Sequence, residues 1–237
     1  MSVPPSAGVR KVGAQDTTPE RAFSSSLVDT QIPKTDMERP NDIAVVIGNR
    51  TYKNDDIPNV DYAVRDAQTM QKYLTCTLGF RKENVIYLKN ASGSAVERVF
   101  GTSDDPKGQL YDYVKPEKSS VFVYYSGHGV PNPESDNAYL LPSNANPSYL
   151  SQNGYPLNQL YENLAQLPAE SVSVVLEACF SGTSEGGAVV QNASPAVLSV
   201  ENPVMGMKNG LAFTAGAADQ VASWYPEKKK GSSRTTS

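Results

Sequence analysis

The sequence predicts an α/β fold in which a mostly parallel central sheet is covered by helices on both faces. Three observations carry this expectation. Five short segments are apolar nearly throughout, as strands buried on both faces are. Stretches with apolar residues at helical spacing separate several of them, the alternation that builds a parallel sheet. The chain also has 237 residues, 39% hydrophobic and 19% charged, which is enough to bury a sizeable core without staples.

Residues 1–41 are rich in Ser, Pro, Thr and charge and have little periodicity. They are expected to form a flexible extension or to lie over a surface. The folded domain is expected over 42–226. "DIAVVIGN" gives the first strand, with Ile43 to Ile47 closed by Gly48-Asn49. After the loop "RTYKNDDIPN", Val60, Ala63, Val64, Ala67, Met70 and Leu74 predict an amphipathic helix that stops near Gly79. "NVIYLKN" (84–90) is the second strand. A broken helical stretch from Ala95 to Tyr113 leads into "SSVFVYYSGHG", the third. "VPNPESDNAYLLPSNANPS" reads as a polar loop. Leu157, Leu160, Tyr161, Leu164 and Leu167 then mark another helix. "SVSVVLEACFSG" is the fourth strand, residues 183–209 a long Gly/Ser/Asn/Val-rich loop, and "GLAFTAGAA" the fifth strand. "DQVASWYPEKKK" follows, and 227–237 form a polar tail. There is no internal repeat.

Composition excludes several functions. A net charge of −4 argues against a nucleic-acid surface, which needs a basic stripe. The apolar runs are too short to span a membrane, and "MSVPPSAGVRKVGAQ" lacks the core of a signal peptide. Two cysteines and one histidine build neither a disulfide framework nor a metal cluster. A reducing, cytoplasmic setting is the simplest expectation. The first strand ends in "GNRTY", with no glycine-rich phosphate loop, which disfavours a nucleotide-binding domain.

Open α/β sheets bind ligands beyond the carboxyl ends of their strands. The third strand ends at His128, between two glycines, and the fourth at Cys179. If these strands are neighbours, one imidazole and one thiol share a cleft, as nucleophilic cysteine catalysis requires. The free thiol ionises near pH 8.5, so a base beside it matters at neutral pH. Gly127 and Gly129 clear side chains from around His128. Exposed N–H groups at Gly129 and Cys179 would suit an oxyanion hole. Cys76, on the first helix, is read as core or near-core.

With these motifs in order, "IAVVIGN" plus "DYAVRDAQTMQKYL", "VFVYYSGHG", "LEACFSG" and "FTAGAADQVASWY", the chain resembles the caspase-like (clan CD, C14) cysteine peptidases, in their metacaspase and bacterial caspase-homologue branch. The resemblance implies a caspase-like three-layer α/β/α sandwich and an endopeptidase. It makes Cys179 the nucleophile, His128 the general acid/base, and the Gly129 and Cys179 amides the oxyanion hole. It also implies that Glu177, two residues before the nucleophile, and Asp66, in "VRDA", line a pocket for a P1 Lys or Arg. Two carboxylates there would select a cation. In "ASWY", Ser223 would pair with an extended peptide and Trp224 would wall the P2 site. Tyr225 stands where aspartate-specific caspases carry Arg, which fits basic rather than acidic P1 specificity.

The last helix and sixth strand of the family have no counterpart before "GSSRTTS", so a monomer is expected instead of the dimer formed through that strand. Lys208 is the only Lys or Arg between Phe180 and Glu227, which makes Lys208-Asn209 the expected self-processing bond. The resemblance allows calcium activation, yet neither "SDD" (103–105) nor "ESD" (134–136) has the spacing of a calcium loop. No other cofactor is implied. The expected partners are protein and peptide substrates with a basic P1, and neither nucleic acid nor membrane. The competing reading is a catalytically weak caspase-like adaptor or regulatory protein.

Overall fold

A computed structural model of the chain describes residues 31–131, 138–178, 183–184, 187–188 and 210–214. Five parallel strands form the central sheet: β1 (Ile43–Gly48), β2 (Val85–Lys89), β3 (Ser120–Ser126), β7 (Ser171–Glu177) and β10 (Gly210–Thr214). Their order is β10-β7-β3-β1-β2. All five coincide with the apolar runs that predict them. Every residue of β1 is buried, because helices pack on both of its faces and strands on both of its edges.

Alternation along the strands sorts the core into two layers. Ile43, Val45 and Ile47 join Val121, Val123, Tyr125, Val172, Val174 and Leu176 on one face. Three helices cover that face: α2 (Gly93–Phe100), α3 (Gln109–Tyr113) and α5 (Leu157–Ala165). On the opposite face Ala44, Val46 and Tyr124 pack under Ala67 and Leu74 of α1 (Ala63–Cys76) and against Phe80. Each fully buried Val, Ile or Leu contributes about 1.5–3 kcal/mol.

The connection from β1 through α1 returns to β2 on one side of β1, whereas the chain then crosses to β3 on the other side. The strand order therefore reverses between β1 and β3. Such a reversal opens a crevice at the carboxyl ends of the two strands, which here are Gly48-Asn49 and Ser126-Gly127.

The segment expected to be a polar loop is more ordered than its composition suggests. It holds most of β4 (Gly129–Pro131) and all of β5 (Ala138–Leu140), with a short helix α4 (Leu150–Asn153) and β6 (Tyr155–Pro156) just beyond it. The strands form a small antiparallel sheet ordered β4-β5-β6. Val130, Tyr139, Leu141 and Leu150 make a satellite core with Ile57, and Tyr52 packs against it. Within 183–209, β8 (Thr183–Ser184) pairs with β9 (Gly187–Ala188) as a hairpin.

Residues 33–39 lie along the end of α1. Thr77 Oγ1 donates to the Pro33 carbonyl at 2.5 Å, Thr35 Oγ1 donates to the Thr77 carbonyl at 2.6 Å, and Arg39 N donates to the Gly79 carbonyl at 2.8 Å. Gly79 has φ +79°, and a Cβ there would meet the Met37 carbonyl oxygen at 2.3 Å, so only glycine ends the helix this way. No helix among the described residues is long and apolar enough to cross a membrane.

Candidate active site

The crevice between β1 and β3 is built around His128. β3 pairs β1 on one side and β7 on the other, with Ser126 beside Gly48 and beside Glu177. Asn49 N donates to the Ser126 carbonyl at 2.9 Å, and Gly127 N to the Glu177 carbonyl at 3.3 Å. These bonds carry the strand ends one step beyond the sheet and deliver His128 to its edge, only 6% exposed.

Hydrogen bonds hold the His128 main chain and ring Nε2. Its N–H donates to the Tyr52 hydroxyl at 2.9 Å. Its carbonyl accepts from the Tyr125 hydroxyl at 2.8 Å and from Leu141 N at 3.0 Å. Ring Nε2 lies 2.7 Å from the Pro58 carbonyl. A carbonyl only accepts, so Nε2 carries the proton in the neutral ring and Nδ1 holds the lone pair. The Tyr52 ring packs beside the imidazole at 5.0 Å between centroids, tilted 40°. Burial lowers the imidazole pKa below its ordinary value, with the Pro58 carbonyl opposing the shift. The lowered pKa favours the neutral form of the ring near pH 7.

Gly127 serves the site in a way the sequence did not suggest. A Cβ at this position would meet the Tyr125 hydroxyl at 2.7 Å and Asn49 Cβ at 3.1 Å. The missing side chain makes room for the phenol that holds the His128 carbonyl. Gly129 opens β4 opposite Leu140 and is buried.

The two carboxylates expected to share a pocket lie on the α1 side of the sheet. Glu177 ends β7, and its Oε2 accepts from the Tyr124 hydroxyl at 2.5 Å. Burial raises the Glu177 carboxyl above its ordinary pKa, against the lowering effect of that bond. Asp66 sits in the first turn of α1, its side chain 15% exposed, with Arg65 Nε 3.5 Å from Oδ1. The Tyr124 hydroxyl is pushed far above its usual pKa by burial first, then by the charge of Glu177, and further by that of Asp66. Both carboxylates are thus within electrostatic reach of one phenol.

Cys179, Ser223, Trp224 and Lys208 lie outside the described residues, as does the "ESD" run at 134–136. No group of three or more His, Cys, Asp or Glu gathers as for a metal among the described residues. In "SDD", Asp105 Oδ1 accepts from Lys107 N at 3.2 Å and lines an open depression beside Glu97, Asp112, Arg98 and Lys107. Mixed charge of that kind does not fit the all-oxygen shell of calcium.

A family model for the caspase domain (peptidase C14) matches residues 41–237, most of the chain, and thus includes every element of the sheet and the crevice. The chain belongs to the caspase-domain family. Caspase-domain membership agrees with the parallel five-stranded sheet flanked by helices, and it supports a cysteine-peptidase-like function. No individual curated protein matches closely enough to serve as a relative. The sequence pattern missed two residues that contact His128 in this caspase domain, Tyr52 and Pro58. One acts through its hydroxyl on a main-chain N–H and the other through its own main-chain oxygen, and neither role demands a recognisable motif.

Proposed function

We propose that the protein is a cysteine endopeptidase that cleaves after Arg or Lys, with Cys179 as nucleophile and His128 as general acid/base. The observation that carries the reading is the His128 imidazole, buried, neutral and pinned through Nε2 to the Pro58 carbonyl, with the Nδ1 lone pair left for a thiol proton. Nδ1 takes the Cys179 proton, and the thiolate attacks the scissile carbonyl carbon. The oxyanion that develops is held by main-chain N–H groups, for which Gly129 and Cys179 are the candidates. The imidazolium returns the proton to the leaving amine, the C–N bond breaks, and a thioester remains. Water, deprotonated by the same imidazole, hydrolyses that thioester and regenerates the thiol.

Glu177 and Asp66, both facing the Tyr124 phenol, support a cationic P1 side chain. A guanidinium or ammonium would offset the cost of a buried carboxylate. Ser223 and Trp224 complete the substrate contacts in this reading, and cleavage after Lys208 is the self-processing step. The test is a panel of fluorogenic peptides with Arg, Lys or Asp at P1, run with and without calcium. Arg/Lys turnover lost in Cys179→Ala supports the peptidase. A folded chain that turns over none of them favours the adaptor reading, and turnover after Asp alone overturns the pocket assignment.

A further inference from the structure

We propose that Tyr52 is a positioning residue for the His128 imidazole, acting through the main chain rather than on substrate. His128 is the second residue past the end of β3, where the strand's pairing no longer supplies its N–H with a main-chain partner, and the residue before it has no side chain to anchor the turn. Its N–H is buried and needs an acceptor. The Tyr52 hydroxyl supplies it at 2.9 Å and passes its own proton to the Asn49 carbonyl at 3.3 Å. The same Tyr52 ring lies 5.0 Å from the imidazole, centroid to centroid, tilted 40°. One side chain therefore fixes both the peptide and the plane of the ring.

Tyr52 is itself held on either side. Asn90, in a left-handed conformation with φ 49°, accepts through Oδ1 from Arg50 N at 2.8 Å and Thr51 N at 3.1 Å. Lys53 N donates to the Ser143 carbonyl at 2.7 Å, and Val60 N closes the segment on the Arg50 carbonyl at 2.9 Å. The ring packs against the satellite core formed with the small antiparallel sheet. The loop that presents the Tyr52 hydroxyl also presents the Pro58 carbonyl, so 49–60 grips His128 at its N–H and at Nε2 together. Without the hydroxyl the buried N–H loses its acceptor. The peptide then turns to find another, the ring moves with it, and the Nε2 bond to Pro58 weakens. Displacements of about 1 Å in a reacting group cost roughly a hundredfold in rate.

The inference rests on His128 being the acid/base, yet its test does not depend on turnover. His128 is the only histidine in the chain, so long-range ¹H–¹⁵N spectra of the full-length protein report one imidazole. The wild-type ring should be the Nε2–H tautomer. Tyr52→Phe keeps the ring packing and removes only the hydroxyl. A mixture of Nε2–H and Nδ1–H forms in a folded Tyr52→Phe chain is the expected result. A wild-type tautomer and a wild-type imidazole titration in that variant would overturn the proposal. Should Tyr52→Phe fail to fold, amide exchange in the wild-type chain decides. Protection of the His128 amide comparable with that of β3 supports the bond, and exchange at the rate of an exposed loop refutes it. Where the peptide assay gives turnover, Tyr52→Phe should lower kcat roughly tenfold or more with KM little changed, and an unchanged kcat counts against the proposal. A wild-type chain that cleaves nothing refutes the peptidase reading and leaves the imidazole spectra to judge Tyr52.

Discussion

The Tyr124 hydroxyl donates to the Glu177 carboxylate at 2.5 Å, diagonally across the β3–β7 boundary. Tyr124 is almost wholly buried, so this bond ties a residue of the core to one at the sheet's edge. It keeps Glu177 oriented while burial works against its charge.

Replacing that charge should separate stability from selectivity. The Glu177 carboxyl holds its proton to higher pH in the folded chain than its ordinary value of 4.5. Between those two values the folded state binds more protons than the unfolded one, so stability falls as pH rises through this window. Glu177→Gln should therefore raise Tm near neutral pH, with the gain fading as pH falls toward 4.5. The same variant should lose roughly tenfold or more in kcat/KM on Arg and Lys peptides. A lower Tm at neutral pH would show that the ionised group is fully compensated.

His128 gives the opposite sign. Burial holds its pKa below 6.5, so between the folded value and 6.5 the unfolded chain binds more protons. Stability should fall as pH drops through that window, and the acid limb of kcat/KM should lie below 6.5. Urea unfolding at a series of pH values and NMR titration of the single imidazole measure the two effects. A titration midpoint above 6.5 contradicts both.

Thiol reactivity tests the pair directly. Cys179 should react with iodoacetamide faster than Cys76 near neutral pH, because a neighbouring base raises its thiolate fraction. Peptide mass mapping separates the two sites. His128→Ala should remove the difference and lower turnover by about 10²–10⁴-fold. Equal labelling in the wild-type chain would speak against an activated Cys179.

Gly127→Ala should damage both fold and site. The added Cβ strikes the Tyr125 hydroxyl at 2.7 Å, and the Tyr125 ring, 2% exposed, has no room to retreat. A destabilisation of about 1–3 kcal/mol is expected from chemical denaturation, together with a loss of kcat as the His128 carbonyl loses its phenol. Wild-type stability would mean that the loop re-forms around the methyl group.

The sequence revealed the sheet well and the support of the site poorly, for a physical reason. Strands such as Ile43–Gly48 are buried on both sides and must be apolar throughout, which leaves an unmistakable run. The helix Ala63–Cys76 and the helix Leu157–Ala165 each bury one stripe, which leaves a period. Strands of two or three residues, such as Tyr155–Pro156, leave neither, so the small sheet read as a loop. Glu177 and His128 declared themselves as a charge and a ring at the ends of apolar strands, whereas Asp66, an ordinary acid in a helix's first turn, was indicated only by the family resemblance. The Pro58 carbonyl is a group every residue possesses, and no choice of side chain could announce it.

In the proposed peptidase, the bond from Gly127 N to the Glu177 carbonyl makes the base and the pocket wall neighbours on one rail. Altering the backbone at Glu177 to admit a new P1 residue would shift the peptide that leads into His128. Asp66 stands on α1, which meets the sheet through side-chain packing. A change of preference introduced at Asp66 therefore leaves the base where it is, whereas one introduced at Glu177 brings a change of rate with it. Selection or engineering that retunes the proposed specificity without slowing the proposed reaction has its freer path through the helix.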